Sequence, residues 1–124
     1  MTSDEIYNNI SEYFSTPMRK WVLDDVYDMA DDDYSMSDYC QEVINNGCVS
    51  GVALSMIYYT DTIKFYDNFV DEINDLLVNY GVNPTDIIGS DDDKLFISYD
   101  SKSKLAWYAY ESVVYEILGC IENL

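Results

Sequence analysis

Residues 61–80 read DTIKFYDNFVDEINDLLVNY, and their spacing decides the fold class. Tyr66, Phe69, Val70, Ile73, Leu76, Leu77 and Tyr80 recur at intervals of three and four, which predicts one apolar stripe on a long α-helix. Asp67, Asp71, Glu72 and Asp75 fall on the opposite, outer face, and Gly81 supplies the stop. Thr60 or Thr62 is positioned to cap its start.

The same period extends outward in both directions. Thr2-Ser3-Asp4-Glu5 has capping-box spacing and opens a helix carrying Ile6, Ile10, Tyr13 and Phe14. Thr16-Pro17 starts a second helix, with Met18, Val22, Val26 and Met29 as its inner stripe. A third begins near Ser35 or Ser37, carries Tyr39, Cys40, Val43 and Ile44, and stops at Asn46-Gly47. GCVSGVALSMIYY, from residue 47, is apolar all round and predicts a buried segment. VNPTDIIGSDDDK reads as a loop with one helical turn, and the alternation in KLFISYD allows a short strand or hairpin near 95–99. Residues 103–122 hold Leu105, Ala106, Ala109, Tyr110, Val113, Val114 and Ile117, which makes them the central helix. The expectation is an all-α bundle of five to six helices around a buried C-terminal helix, with residues 1–124 as one domain.

Composition narrows the function. The chain has 24 acidic and 6 basic residues, a net charge of -18, far beyond the magnitude of about 2–8 that keeps a small domain soluble. The Asn, Ile and Tyr bias would normally bring Lys with it, so the acidity is read as selected rather than drifted, a halophilic origin being the bland alternative. Such charge repels anionic membranes and nucleic acid backbones, so neither is an expected direct partner. Three cysteines fit no disulfide framework and the N-terminus has no secretory pattern, which points to a reducing cytoplasm.

Catalytic chemistry finds little purchase. The sequence contains no histidine, which removes Ser-His, Cys-His and His-metal sites together. Cys48 in GCVSG therefore reads as part of a small-residue helix crossing. No cofactor is expected. A calcium loop could use Asp31, Asp33, Ser35 and Glu42 at EF-hand offsets, but Met36 stands where the sharp turn needs Gly. Ser35 and Ser37 also serve more simply as helix N-caps.

What remains is the pattern of charge. DDVYDMADDDYSMSD, residues 24–38, holds seven aspartates and no basic residue. Asp outnumbers Glu by 17 to 7 although Glu is the better helix former. Asp67, Asp71 and Asp75 repeat at i+4, about 6 Å per step, as do Asp24, Asp28 and Asp32. A DNA strand presents a phosphate about every 3.4 Å, so such rows imitate a sparser line of phosphates. The expected partner-binding residues are Asp24, Asp25, Asp28, Asp31, Asp32, Asp33, Asp67, Asp71, Asp75, Asp91, Asp92 and Asp93, with Tyr27 and Tyr34 beside them. Tyr99, also beside an aspartate, is expected to be exposed like Tyr27 and Tyr34, and most of the other tyrosines are expected in the core.

GCVSG at 47–51, IYYTDT at 57–62, FYD at 65–67 and LAWYA at 105–109 resemble the pattern of a family of small uncharacterised proteins carried by phages and mobile elements. The likeness spans about half the chain and supplies no catalytic residue. It implies a setting inside a bacterial host, where small acidic phage proteins often inhibit defence systems of the CRISPR or restriction type. Charge and setting together lead to a non-enzymatic inhibitor that occupies the groove of a basic, nucleic-acid-binding host protein. A divalent-cation-binding protein and a homo-oligomeric assembly protein, with a homodimer as its simplest form, are the alternatives.

Overall fold

The structure is a computed structural model that describes residues 2–30, 34–46, 62–88 and 97–124. The buried segment expected from residue 47, Asp31-Asp32-Asp33 and Asp91-Asp92-Asp93 lie outside the described residues.

All regular structure among the described residues is helical, and most helix starts have an identifiable chemical cause; Thr62, considered as a cap, is itself the first residue of its helix, and its buried hydroxyl has no hydrogen-bond partner among the described residues. Helix α1 (Ser3–Ile10) is capped by Thr2, whose hydroxyl oxygen accepts the Glu5 N–H at 3.2 Å. A 3-10 turn (Ser11–Phe14) follows and buries Phe14. Three residues per turn rather than 3.6 rotates Tyr13 out of the expected apolar face, and it is exposed. Helix α2 (Pro17–Met29) has Pro at its first position and buries Met18, Val22, Leu23 and Val26. Met29, expected in that stripe, is the terminal residue and is exposed.

Helix α3 (Met36–Asn46) begins with a reciprocal capping box. Ser35 Oγ accepts the Asp38 N–H, and the Asp38 carboxylate accepts the Ser35 N–H, both at 3.3 Å. Helix α4 (Thr62–Asn79) contains one non-helical residue, Phe69 at φ -128° and ψ 26°, where its axis kinks. It ends in a Schellman motif: Val82 N–H bonds Leu77 C=O at 2.8 Å and Gly81 N–H bonds Val78 C=O at 3.0 Å. Gly81 takes the positive φ of 78° that this turn requires. Tyr80 lies past the last helical residue and is exposed, not on the inner face as the spacing suggested.

The single turn α5 (Pro84–Ile87) is capped by Asn83, which accepts the Thr85 N–H at 3.1 Å. Helix α6 (Tyr99–Glu122) starts four residues before the expected boundary, because Ser98 Oγ caps it by accepting the Ser101 N–H at 3.3 Å. That cap stands where a strand was considered near 95–99: among the described residues Ile97 and Ser98 are not in a strand and Tyr99 is already helical, while Leu95 and Phe96 lie outside them.

Helix α6 is the axis of the bundle. Leu105, Ala106, Ala109, Tyr110, Val113, Val114 and Ile117 are all buried, and α1 to α5 all pack on it, α4 most extensively. Lys102–Asp67 near the starts of α6 and α4, and Tyr80–Glu116 near their ends, show that these two helices run parallel. Trp21, Phe65, Phe69 and Tyr110 meet in tilted and edge-on contacts with ring centroids 5.5–6.1 Å apart, joining α2, α4 and α6.

One polar node fastens the same three helices. Glu72 accepts the Thr16 hydroxyl at 2.5 Å, the Met18 N–H at 3.0 Å and Arg19 Nη1 at 3.3 Å. It thereby caps the α2 N-terminus from a different helix, while the Thr16 side chain caps nothing in its own helix. Arg19 also grips Glu116 through Nε at 2.9 Å and Nη2 at 3.1 Å, and Tyr80 donates to Glu116 at 2.9 Å. The side chains of Arg19, Glu72 and Glu116 are only about a quarter exposed, at 24%, 23% and 23%. Glu72 is thus an interior cap, not the outer-face residue its spacing suggested. Glu72→Ala should destabilise by about 2–3 kcal/mol through loss of charge-assisted bonds and an orphaned N-terminus. At roughly 4 °C per kcal/mol that is a fall in melting temperature near 10 °C. Thermal unfolding checks this, and a change below about 0.5 kcal/mol, the level of an ordinary surface site, would refute the node.

The core also holds a polar pair. The hydroxyls of Tyr39 and Tyr110 are 3.4 Å apart and buried. Burial is the main cause that raises Tyr39 to about 12, partly offset by its bond to Tyr110, and the charge of Asp25 raises it further. Burial likewise pushes Tyr110 well up. A raised folded value means that Tyr39 contributes stability in full below the unfolded pKa of about 10, and that this contribution is lost as pH rises through about 12. Denaturant midpoints should therefore fall steeply between about pH 10 and 12, and Tyr39→Phe should flatten that fall.

Candidate functional site

The acidic residues fall into groups that the helix geometry separates. Helices α1 and α2 are antiparallel neighbours joined by the 3-10 turn, since Tyr7 bonds Asp24 and Tyr27 bonds Asp4. Between them lies an open groove of about 520 Å³, lined by Asp4, Tyr7, Asn8, Asp24, Tyr27 and Asp28. The two tyrosine rings are 4.9 Å apart and tilted by 55°. Tyr7 donates to Asp24 at 2.7 Å, and Tyr27 donates to Asp4. Each bond is the largest cause raising its tyrosine's pKa, so both hydroxyls stay protonated and hold the carboxylates in place. Lys20 reaches Asp24 at 3.3 Å, one turn away along α2. Asp28 is exposed and has no ion pair among the described residues.

The groove brings together Asp24, Asp28 and Tyr27 from the sequence reading. It adds Asp4, Tyr7 and Asn8, which that reading missed. Their i, i+3, i+4 spacing on the polar face of α1, with a short connection to α2, was the available signal.

The second group runs along α4. Asp67, Asp71 and Asp75 are all exposed. Asp67 is paired with Lys102 at 2.9 Å, whereas Asp71 and Asp75 have no ion pair among the described residues. The kink at Phe69 falls between Asp67 and Asp71, so the regular i+4 step holds for Asp71 and Asp75 only.

The remaining candidates have other surroundings. Asp25 is half-buried, and its charge acts on Tyr39 and Tyr110. Tyr34 is half-buried and donates to Glu42. Ser35 is committed to the α3 capping box. Of the calcium ligand set, Ser35 and Glu42 therefore have structural partners, and Asp31 and Asp33 lie outside the described residues. Among the described residues no cluster of His, Cys, Asp or Glu has the geometry of a metal site.

Tyr99 is exposed as expected, Tyr27 and Tyr34 are half-buried, and fewer of the other tyrosines are in the core than expected. Of the described rings only Tyr39, Tyr66 and Tyr110 are buried, while Tyr13, Tyr80, Tyr99, Tyr108 and Tyr115 are exposed. Several sit at helix positions just off the apolar stripe, where the hydroxyl end reaches water. Cys40 is buried, and burial raises its pKa to about 12, which holds it as an unreactive thiol.

The cations are mostly spent inside the molecule. Arg19 is in the three-helix node, Lys20 is on Asp24, and Lys102 is on Asp67 and over the Tyr66 ring at 5.7 Å. Lys64 lies 5.7 Å over the Trp21 ring. No described helix carries a basic residue in its last turn, so the partial negative charge of these C-termini is left without the usual cationic counterpart. No described helix is long and apolar enough to cross a membrane.

A family model described as a domain of unknown function, DUF7222, matches residues 3–123, and the chain belongs to that family. No curated protein and no solved structure matches it.

Proposed function

We propose that this DUF7222 protein is a non-enzymatic inhibitor of a basic, nucleic-acid-binding host protein, of the anti-CRISPR or antirestriction type, acting in a bacterial cytoplasm. The observation that carries this reading is the uneven use of charge. The described cations are mostly committed within the fold, while Asp28, Asp71 and Asp75 stand exposed without ion pairs among the described residues. Together with a net charge of -18, that leaves a long-range negative field attractive to a cationic groove.

In mechanism, the field steers encounter and the exposed carboxylates take the positions of phosphate oxygens. The α1/α2 groove adds acceptors that are already oriented by Tyr7 and Tyr27, together with aromatic faces on which a guanidinium can stack. No proton transfer or covalent step is required. A divalent-cation function has less support, because Ser35 and Glu42 are already engaged by Asp38 and Tyr34.

The test is capture of the partner from a bacterial host with tagged protein, followed by competition with duplex DNA. DNA should displace the inhibitor, and affinity should fall by at least about tenfold between 50 mM and 200 mM salt, as for a ligand contacting several phosphate sites. Asp71→Asn with Asp75→Asn should weaken binding and flatten the salt slope. Binding that ignores both salt and DNA would overturn phosphate mimicry.

A further inference from the structure

Helix α6 is buried along most of its circumference, yet one stripe of it faces outward. Lys104, Tyr108, Glu111, Tyr115, Leu118 and Glu122 follow one another at spacings of four, three, four, three and four. That alternation is the repeat of a coiled-coil seam, and it keeps one line of side chains on one face over about 27 Å of helix. The core-facing residues, Leu105 to Ile117, lie on the other side. Tyr108 and Tyr115 are 42% and 46% exposed, large values for aromatic residues on the central helix of a bundle. Lys104 and Glu122 are exposed at the two ends, while Glu111 and Leu118 are half-buried, Leu118 with one side against the core.

The stripe is complementary to itself in only one sense. Its cation stands at the N-terminal end and a carboxylate at the C-terminal end. Turned end for end, the stripe sets Lys104 against Glu122, Tyr108 against Leu118 and Glu111 against Tyr115, in both directions at once. Parallel pairing would set Lys104 on Lys104 and Glu122 on Glu122. Gly119 lies beside the seam with open space where a Cβ would project, so it presents little bulk to an approaching helix.

We propose that α6 pairs antiparallel with α6 of a second copy of this chain across this stripe, forming an isologous two-fold dimer. The tyrosines supply the contact area and Lys104–Glu122 pairs at both ends fix the register. A single helix seam is a small interface, so the dimer is weak, with a Kd on the order of micromolar at high salt. Each copy carries a net charge of -18, so mutual repulsion opposes association. Screening that repulsion strengthens the dimer, which is the opposite of the salt response expected for a basic partner. The two interactions are therefore separable, and this one stands without the proposed function.

Sedimentation equilibrium of the full chain tests the seam. Raising salt from about 0.01 M to about 1 M contracts the screening length from roughly 30 Å to roughly 3 Å and should tighten the dimer at least tenfold. Tyr108→Ser with Tyr115→Ser should abolish association with unchanged far-ultraviolet circular dichroism. At intermediate salt, Lys104→Glu should weaken the dimer about threefold, and Lys104→Glu with Glu122→Lys should restore it. A strict monomer at every salt up to about 1 mM protein would overturn the proposal, since that is far above the Kd of a specific seam. So would a dimer that survives loss of both tyrosines, or one that the double charge exchange fails to restore.

Discussion

The bonds from Glu72 to the start of α2, and from Arg19 to Glu72 and Glu116, are the constraint on which the bundle depends. A helix start leaves N–H groups that must find acceptors, and Thr16 does not supply one to its own helix. Glu72, just past the middle of α4, supplies it instead and at the same time meets Arg19. Arg19 then reaches Glu116 with two further donors, so a single guanidinium ties α2, α4 and α6. Beside this node the Trp21, Phe65, Phe69 and Tyr110 rings close the same three-helix junction with apolar contact. In a chain so rich in carboxylates, two of them placed together would repel. The guanidinium between them turns that repulsion into a clamp.

The rest of the charge follows from this economy of cations. Lys20 and Lys102 each hold an aspartate at a helix surface, and Lys64 covers Trp21. Nothing basic is left for the last turns of the described helices, where it would favour the helix dipole. Asp71 and Asp75 repel each other at i+4 by roughly 0.2–0.5 kcal/mol. These are small local costs with one common direction. On the proposed function they are the cost of a negative field that serves binding.

The sequence was most legible where the chemistry is local. Pro17 at a first turn, Gly81 at a left-handed stop and Asn83 before a single turn act within a few residues, and the structure realises each. The apolar stripe of α6 was equally plain. Strict local periodicity misled where another rule intervened. Tyr13 follows three residues per turn rather than 3.6, and Tyr80 stands beyond the Schellman stop. At the described end of KLFISYD, Ser98 caps a helix where the alternation allowed a strand. The candidate surface was half legible. Exposure of Asp28, Asp71 and Asp75 follows from helix facing alone. The roles of Glu72, Asp24 and Asp25 depend mainly on partners in other helices, up to 85 residues away, which no helical wheel contains. Asp31-Asp32-Asp33 and Asp91-Asp92-Asp93 fall outside the described residues.

The central claim is that the carboxylates divide into a set that holds the fold and a set that opposes it for the sake of a partner. Thermal unfolding of Asp71→Asn with Asp75→Asn, compared with Glu72→Gln, tests it most directly. The account predicts that the aspartate pair raises the melting temperature by about 1–2 °C, through relief of repulsion. Glu72→Gln should lower it by several degrees, because a charge-assisted bond is lost while the amide oxygen can still accept from Met18. A fall in both variants, or no change at Glu72, would contradict the division.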